Sequence, residues 1–333
     1  MRPTGKLHLG NYMGALANWV KLQSDYECYF FIADLHALTT DYADTSQIAP
    51  NTMEVALDFL GAGLDPARCA IFVQSLVKQQ YELPLLLGMI TPVGWLERVP
   101  SYKEMQENLT SRDLSNFGFL GYPVLMASDI LLYRPRFVPV GQDQQAHVEL
   151  TRELARRFNN FYKPSAGDPN GDEVLPEPNV LLTPSPKLPG TDGRKMSKSY
   201  GNTILLTDPE PVVRQKLKTM VTDPARKRRT DPGEPDKCPV GDLHKVFSTP
   251  QTMEKVYEGC RSAGIGCIEC KSWAADALVQ VLQPIQQRRA TFSEPQVKEI
   301  LEDGSRQAAK RAAETMNRVY SAMKMTLTAE TAP

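Results

Sequence analysis

Two short stretches of this chain carry residue types that act on phosphate. The first, His8-Leu9-Gly10-Asn11, follows Pro3-Thr4-Gly5 and leads into Tyr12-Met13-Gly14-Ala15-Leu16, a loop running into a helix. A glycine there admits a flat base at close range, and an imidazole and an amide near a helix N-terminus can donate to phosphate oxygens. Taken alone, the tetrapeptide also reads as a turn capped by Asn11. The second stretch, Lys195-Met196-Ser197-Lys198-Ser199, is flanked by Gly190, Gly193 and Gly201. Two lysines and two hydroxyls on a glycine-hinged loop can close over a triphosphate and neutralise charge that develops during phosphoryl or nucleotidyl transfer. A solvated Lys/Ser surface loop is the plain alternative.

A third group is made of sulfur. Cys238 is followed after 21 residues by Cys260, after six more by Cys267 and after two by Cys270. Four thiolates so grouped suit either Zn²⁺ or a [4Fe–4S] cluster, and unliganded buried thiols are the third reading. Only Cys267 and Cys270 form the short knuckle that zinc sites usually show twice, which favours iron and sulfide. Cys28 and Cys69 lie in apolar runs and read as core residues.

The elements that must position these groups alternate. Apolar, β-branched and aromatic runs at 28–34 and 70–74 predict buried parallel strands, with another at 136–140 whose Pro139 suits an edge or a strand end. Apolar residues at three-and-four spacing over 45–61 and 148–158 predict helices. The alternation predicts an α/β fold with a doubly wound parallel sheet and ligands beyond the carboxyl ends of its strands. Residues 164–190 are rich in proline and predict a long functional loop or junction rather than helix or central sheet. Beyond Asp208 the pattern is helical, with Ala308, Ala312, Met316, Val319 and Met323 on one apolar stripe.

The 333 residues leave room for two domains. No run approaches the roughly 20 apolar residues of a membrane span, which excludes a transmembrane protein, and no secretory leader is legible at the start. The cytosol is the expected address. Basic and acidic residues nearly cancel, 38 against 39, so a polyanionic partner must meet a local patch, for which Arg226, Lys227, Arg228 and Arg229 are the candidates. A solvated charged loop is the alternative for that run.

The ordered pair of motifs resembles the two signatures of the class I aminoacyl-tRNA synthetases. Pro3-Thr-Gly-Lys-Leu-His-Leu-Gly-Asn-Tyr12, Ala33-Asp-Leu-His-Ala-Leu38, Gly121-Tyr-Pro-Val-Leu-Met-Ala-Ser-Asp-Ile-Leu-Leu-Tyr133, Val138-Pro-Val-Gly-Gln-Asp-Gln144 and His147-Val-Glu-Leu-Thr-Arg152 extend the resemblance along the chain, towards the bacterial tryptophan-specific branch. Tyrosine-specific enzymes share the architecture and less of the segment ending at Tyr133. The resemblance implies a Rossmann-like catalytic domain over 1–207, an all-helical anticodon-binding domain over 208–283 and C-terminal helices over 284–333 that pack back on the first. It implies tryptophan activation by ATP with Mg²⁺, transfer to tRNA(Trp), and a homodimer. The alternatives are a tyrosine-specific enzyme and a non-charging relative that binds tryptophan, RNA or a protein.

On this resemblance His8, Gly10 and Asn11, with Arg2, Pro3 and Thr4, face the adenine and phosphates. Arg2 stands where many relatives carry glutamine. Gly141, Gln142 and Asp143 would face the ribose, and Lys195, Met196, Ser197, Lys198 and Ser199 the pyrophosphate. Tyr122 and Gln144 would hold the α-amino group, with His36 nearby. A carboxylate at Asp129 among Met126, Ile130, Val138 and Val140 can accept the indole N–H while apolar neighbours sandwich the ring, and would penalise phenylalanine. The four-cysteine pattern resembles a subgroup with a [4Fe–4S] cluster in the anticodon domain. In the family a strand precedes the first loop; here Met1 stands immediately before that loop, so the expectation is either a start lying downstream of the real one or an impaired form.

Overall fold

The run Cys-Tyr-Phe-Phe-Ile forms β1 (Cys28–Ile32), followed by α1 (Asp34–Asp41), α2 (Ile48–Ala62) and β2 (Cys69–Val73). The computed structural model describes residues 1–100, 102, 115–163, 173–182 and 187–325. β1 and β2 pair in parallel with Cys28 beside Cys69 and Ile32 beside Val73. Side chains of a strand alternate between faces, so Phe30 and Ile32 enter one apolar core while Tyr29 and Phe31 pack against another. Helices cover both faces, as the expected doubly wound fold requires.

The chain continues through α3 (Gln79–Gly88), α4 (Phe117–Leu131), β3 (Phe137–Val140), α5 (Gln145–Phe161) and β4 (Asn179–Leu182). β3 and β4 form a second parallel pair. β4 adds a short strand inside the junction expected over 164–190, where a strand paired on one side tolerates prolines on its flanks. Residues 164–172 and 183–186 of that stretch lie outside the described residues. Beside β1, the Met1 ammonium donates to the Phe31 carbonyl at 2.6 Å and the Ala33 N–H to the Met1 carbonyl at 2.8 Å. Met1 therefore continues the β1 ladder by one residue.

Beyond the second motif come α6 (Glu210–Thr219), α7 (Pro239–Phe247), α8 (Pro250–Arg261), α9 (Cys267–Arg289) and α10 (Glu294–Ala322). The boundary expected at 283 falls inside α9, which runs unbroken through Pro284. At about 1.5 Å per residue, its 23 residues span roughly 35 Å from the cysteine region to α2. A side chain at Gly61 would meet the Ile285 carbonyl at 3.0 Å, so glycine permits the close crossing of α2 and α9. α10 returns to the first sheet, where a Cβ at Gly304 would stand 2.0 Å from the Ile71 carbonyl. Of its predicted stripe, Ala308, Ala312, Met316 and Val319 are buried in the second core and Met323 packs against it, partly buried.

Candidate active site

The first motif is held at both ends. Leu7 and Leu9 exchange backbone hydrogen bonds with Leu206 and Ile204, just downstream of the second motif. Asp58, wholly buried on α2, accepts the Leu7 N–H at 2.8 Å, and Arg289 from the end of α9 donates to the same carboxylate at 2.5 Å. Burial pushes the Asp58 carboxyl up, while Arg289 and the Leu7 amide counter that shift.

His8 opens the helical turn Leu9–Asn11, and Asn11 Oδ1 accepts the His8 N–H at 3.1 Å. A Cβ at Gly10 would stand 2.9 Å from His8 Nδ1 and Cε1, so the glycine is what lets the imidazole lie against the backbone. Burial, then the charge of Lys198, pushes His8 down to about 4, which leaves it neutral at pH 7. His8 Nδ1 is buried and has no hydrogen-bond partner among the described residues.

The second motif lies across the first. Lys198 Nζ donates to the carbonyl oxygens of Gly5 at 2.8 Å and Thr4 at 3.2 Å. Burial pushes the Lys198 ammonium down to about 8. Lys195 is exposed, and Ser197 and Ser199 share a hydroxyl contact at 2.9 Å. Met196, expected to face the nucleotide, is instead 4% exposed and packs in the first core, where a thioether is more stable than beside phosphate. It anchors the loop from which the lysines project.

Next to this region a cleft of about 740 Å³ is lined by His36, Tyr122, Met126, Asp129, Ile130, Val138 and Gln144, seven of the eight residues assigned to the amino acid. The eighth, Val140, is half-buried at the end of β3 and does not line the cleft. Arg2 does line it, on the amino-acid side rather than with the nucleotide, and donates to Thr40. Pro3 is buried beneath the loop. Gly141 begins the turn into α5, where a Cβ would meet Asp143 Oδ1 at 2.7 Å. Gln142 is exposed beside it, and Gln144 Nε2 donates to Asp143 at 3.2 Å.

Asp129 is buried on α4 and held on two sides. His36 Nε2 lies 2.8 Å from Oδ2, and Gln74 Nε2 donates to both oxygens at 2.7 and 2.9 Å. Gln74 Oε1 in turn accepts the Leu35 and His36 N–H groups at the start of α1. Burial pushes the Asp129 carboxyl up, against these hydrogen bonds and the Met1 ammonium. Sequence reasoning missed Gln74 and His147, which edges the Tyr122 ring at 5.5 Å. A signal existed for Gln74, a polar residue closing a buried strand where α/β sheets bind ligands.

The cysteines lie apart from this cleft: Cys238 caps α7, Cys260 sits near the end of α8, and Cys267 and Cys270 open α9. Burial and then the neighbouring thiols of Cys238, Cys260 and Cys267 push the Cys270 thiol up to about 12. His244 Nε2 lies 3.4 Å from Cys270 Sγ. Among the described residues no group of three or more His, Cys, Asp or Glu side chains is arranged to hold a metal ion. Arg226 corrects the expected basic patch: it is buried, donating to Cys260 Sγ at 3.7 Å and to the carbonyls of Ile265 and Arg229 at 2.6 and 3.0 Å. A buried guanidinium whose two Nη groups meet inward acceptors is not offered to phosphate. Lys227, Arg228 and Arg229 are exposed.

No helix among the described residues is long and apolar enough to cross a membrane. Comparison with known proteins agrees with this geometry. The family model "tRNA synthetases class I (W and Y)" matches residues 1–283. The chain is 50% identical to the tryptophan–tRNA ligase of Thermotoga maritima, covering 98% of each, and 45% identical to that of Ralstonia nicotianae, covering 98% of this chain and 97% of the relative. The structure of Campylobacter jejuni tryptophanyl-tRNA synthetase complexed with ADP and tryptophan superimposes with a TM-score of 0.85 at 32% identity, over 97% of this chain and 98% of that one. The two phosphate-directed motifs, the adjoining cleft and these relatives lead to one conclusion: the chain belongs to the class I tRNA synthetases and is a tryptophan–tRNA ligase of the bacterial kind.

Proposed function

We propose that this chain divides the ligase reaction between the crossed motifs and the cleft. The observation that carries the reading is the Lys198 ammonium seated on the Gly5 and Thr4 carbonyls, which brings both motifs to one place beside the Asp129 cleft. ATP lies along the first motif, with His8, Gly10 and Asn11 on the adenine and phosphate side, Pro3 and Thr4 at its edge and Gly141, Gln142 and Asp143 toward the ribose. Tryptophan occupies the cleft, its indole N–H donating to Asp129 and its α-amino group held by Tyr122 and Gln144. Each carboxylate oxygen has two lone pairs, so Asp129 retains an acceptor beside its bonds to His36 and Gln74.

The tryptophan carboxylate attacks the α-phosphorus, the α–β bridging bond breaks and pyrophosphate leaves with charge met by Lys195, Lys198, Ser197 and Ser199. The tRNA terminal ribose hydroxyl then attacks the acyl carbonyl, and AMP departs. No step needs a covalent enzyme nucleophile, so rate comes from orientation and charge stabilisation. Mg²⁺ would be carried by the nucleotide's own phosphates, where it would offset their charge.

The helices from α6 to the cysteine end of α9 serve the tRNA, with Lys227, Arg228 and Arg229 on backbone phosphates. For the four thiols the reading stays a [4Fe–4S] cluster first and zinc second, on their spacing in the chain; the described residues do not gather three of them as ligands, so a bound cluster would have to draw the loops together. The cation of Arg226 on Cys260 Sγ at 3.7 Å, which favours a thiolate there, supports that reading. Tyr81, Leu85 and Met89 expose one apolar stripe on and just beyond α3, which suits a homodimer interface.

ATP–pyrophosphate exchange with protein purified without air, tryptophan and tyrosine in parallel, tests the reading. Tryptophan-dependent exchange followed by charging of tRNA(Trp) is expected. Exchange with tyrosine alone, or ligand binding without exchange, would overturn it. Iron and sulfide content decides between cluster and zinc separately.

A further inference from the structure

Asn202 belongs to neither motif, yet the second motif is built around it. It is 2% exposed. Its Oδ1 accepts the Ser197 N–H at 2.8 Å, and its Nδ2 donates to the Lys195 carbonyl at 3.2 Å and to Asp192 Oδ1 at 2.7 Å. Its own carbonyl accepts the Thr191 N–H at 2.9 Å. One side chain thus ties together the residues on either side of Met196 and the strand-like turn that opposes them, where Pro189 bridges Lys195.

Two glycines make room for this arrangement. A Cβ at Gly190 would fall 2.2 Å from the Asn202 amide carbon and nitrogen, so only glycine lets that amide enter. Gly201 has φ +64°, a left-handed turn that brings the chain back beneath the loop. The network leaves the Lys195 and Lys198 side chains out of its bonding and fixes only the backbone from which they project. A loop carrying two flexible cationic side chains gains most from a rigid base, because each lysine otherwise spends orientation on loop motion.

We infer that Asn202 is a positioning residue for pyrophosphate departure, setting where Lys195 and Lys198 stand along the triphosphate through the backbone of residues 195–197. The inference rests on the assignment of those lysines to the pyrophosphate side. It assigns Asn202 no contact with substrate.

The test uses the full chain in tryptophan-dependent pyrophosphate exchange. Asn202→Asp keeps the shape and the acceptor for Ser197 but loses both donors and opposes two carboxylates across the 192–202 contact. It should lower kcat about 10–100-fold and raise the KM for ATP several-fold, with the KM for tryptophan within about twofold of wild type. Asp192→Asn combined with Asn202→Asp puts the amide on the other side of the same contact and should recover much of the loss. Gly190→Ala, which pushes the amide out from behind, should reproduce the Asn202→Asp pattern. Thermal denaturation of each variant separates a misfolded chain from a misplaced loop.

Parallel rises in both KM values with unchanged kcat, or a double variant no better than Asn202→Asp at equal melting temperature, would overturn the inference. Lys195→Ala and Lys198→Ala measured alongside tell its failure from that of the underlying assignment. If the lysine variants slow exchange and Asn202→Asp does not, only the positioning role falls. If the lysine variants exchange normally, the assignment falls with it.

Discussion

The Nζ of Lys198 donates to the carbonyl oxygen of Gly5 at 2.8 Å, joining residues 193 positions apart in the chain. On the proposed nucleotide site this contact places an ammonium where a phosphate would enter, and burial there depresses its pKa to about 8. A polyanion bound on that reading would draw the lysine off the two carbonyls and stabilise its charged form.

A pH dependence follows. In the free protein Lys198 is charged below about 8 and increasingly neutral above it. Binding a polyanion raises that pKa, so ATP affinity should fall as pH rises through about 8. The profile of kcat/KM for ATP is expected to decline on that limb, and Lys198→Ala should be slow throughout and lack it. A wild-type profile level to pH 10 would contradict the assignment.

Asp129 should govern tryptophan and not ATP. Asp129→Ala removes the acceptor for the indole and strands the Gln74 amide. Its kcat/KM for tryptophan is expected to drop by about 1–3 kcal/mol in transition-state terms, with the ATP KM nearly unchanged. Gln74→Ala should give a smaller loss, because the carboxylate stays and only its second support goes. Unchanged tryptophan kinetics in Asp129→Ala would remove it from the pocket.

The Asp58–Arg289 pair ties the first motif to the far end of α9. Arg289→Ala leaves a fully buried carboxylate with only the Leu7 amide and should destabilise the fold by about 3–5 kcal/mol in chemical denaturation. The double variant Asp58→Asn with Arg289→Leu should cost less than Arg289→Ala, since no unpaired charge remains. Equal stability of Arg289→Ala and wild type would show that the pair holds nothing.

The basic run should split in two. Lys227→Ala, Arg228→Ala and Arg229→Ala are expected to raise the KM for tRNA and to shallow its salt dependence by about 0.7–1 in log–log slope each, leaving pyrophosphate exchange intact. Arg226→Ala instead leaves two carbonyls without their donor and should lower stability by about 1–3 kcal/mol. Four variants with the same salt signature would return Arg226 to the surface patch.

Much of the fold was legible because its signals are local. The buried strands at Cys28–Ile32 and Cys69–Val73, the helix Ile48–Ala62 and the stripe along α10 follow from periodicity within a few turns. The strand Asn179–Leu182 was not legible, since four half-exposed residues among prolines gain their strand character from pairing with β3. Continuity of α9 through Pro284 was likewise hidden, because packing against α2 offsets what a mid-helix proline costs.

The sequence alone determined the candidates for chemistry: the histidine and glycine of the first motif, the lysines of the second, the carboxylate on α4 and, apart from them, the four thiols. The two motifs are recognisable by type and spacing within a dozen or so neighbours, the thiols within 33 residues, and the carboxylate through the family resemblance. The tertiary structure decided what those residues do to one another. Gln74 reaches Asp129 across 55 residues, Arg289 reaches Asp58 across 231, and Arg226 turns inward to a thiol 34 residues away. No local pattern encodes such contacts, because they form only when burial removes water and leaves each polar group to find its partner in the fold.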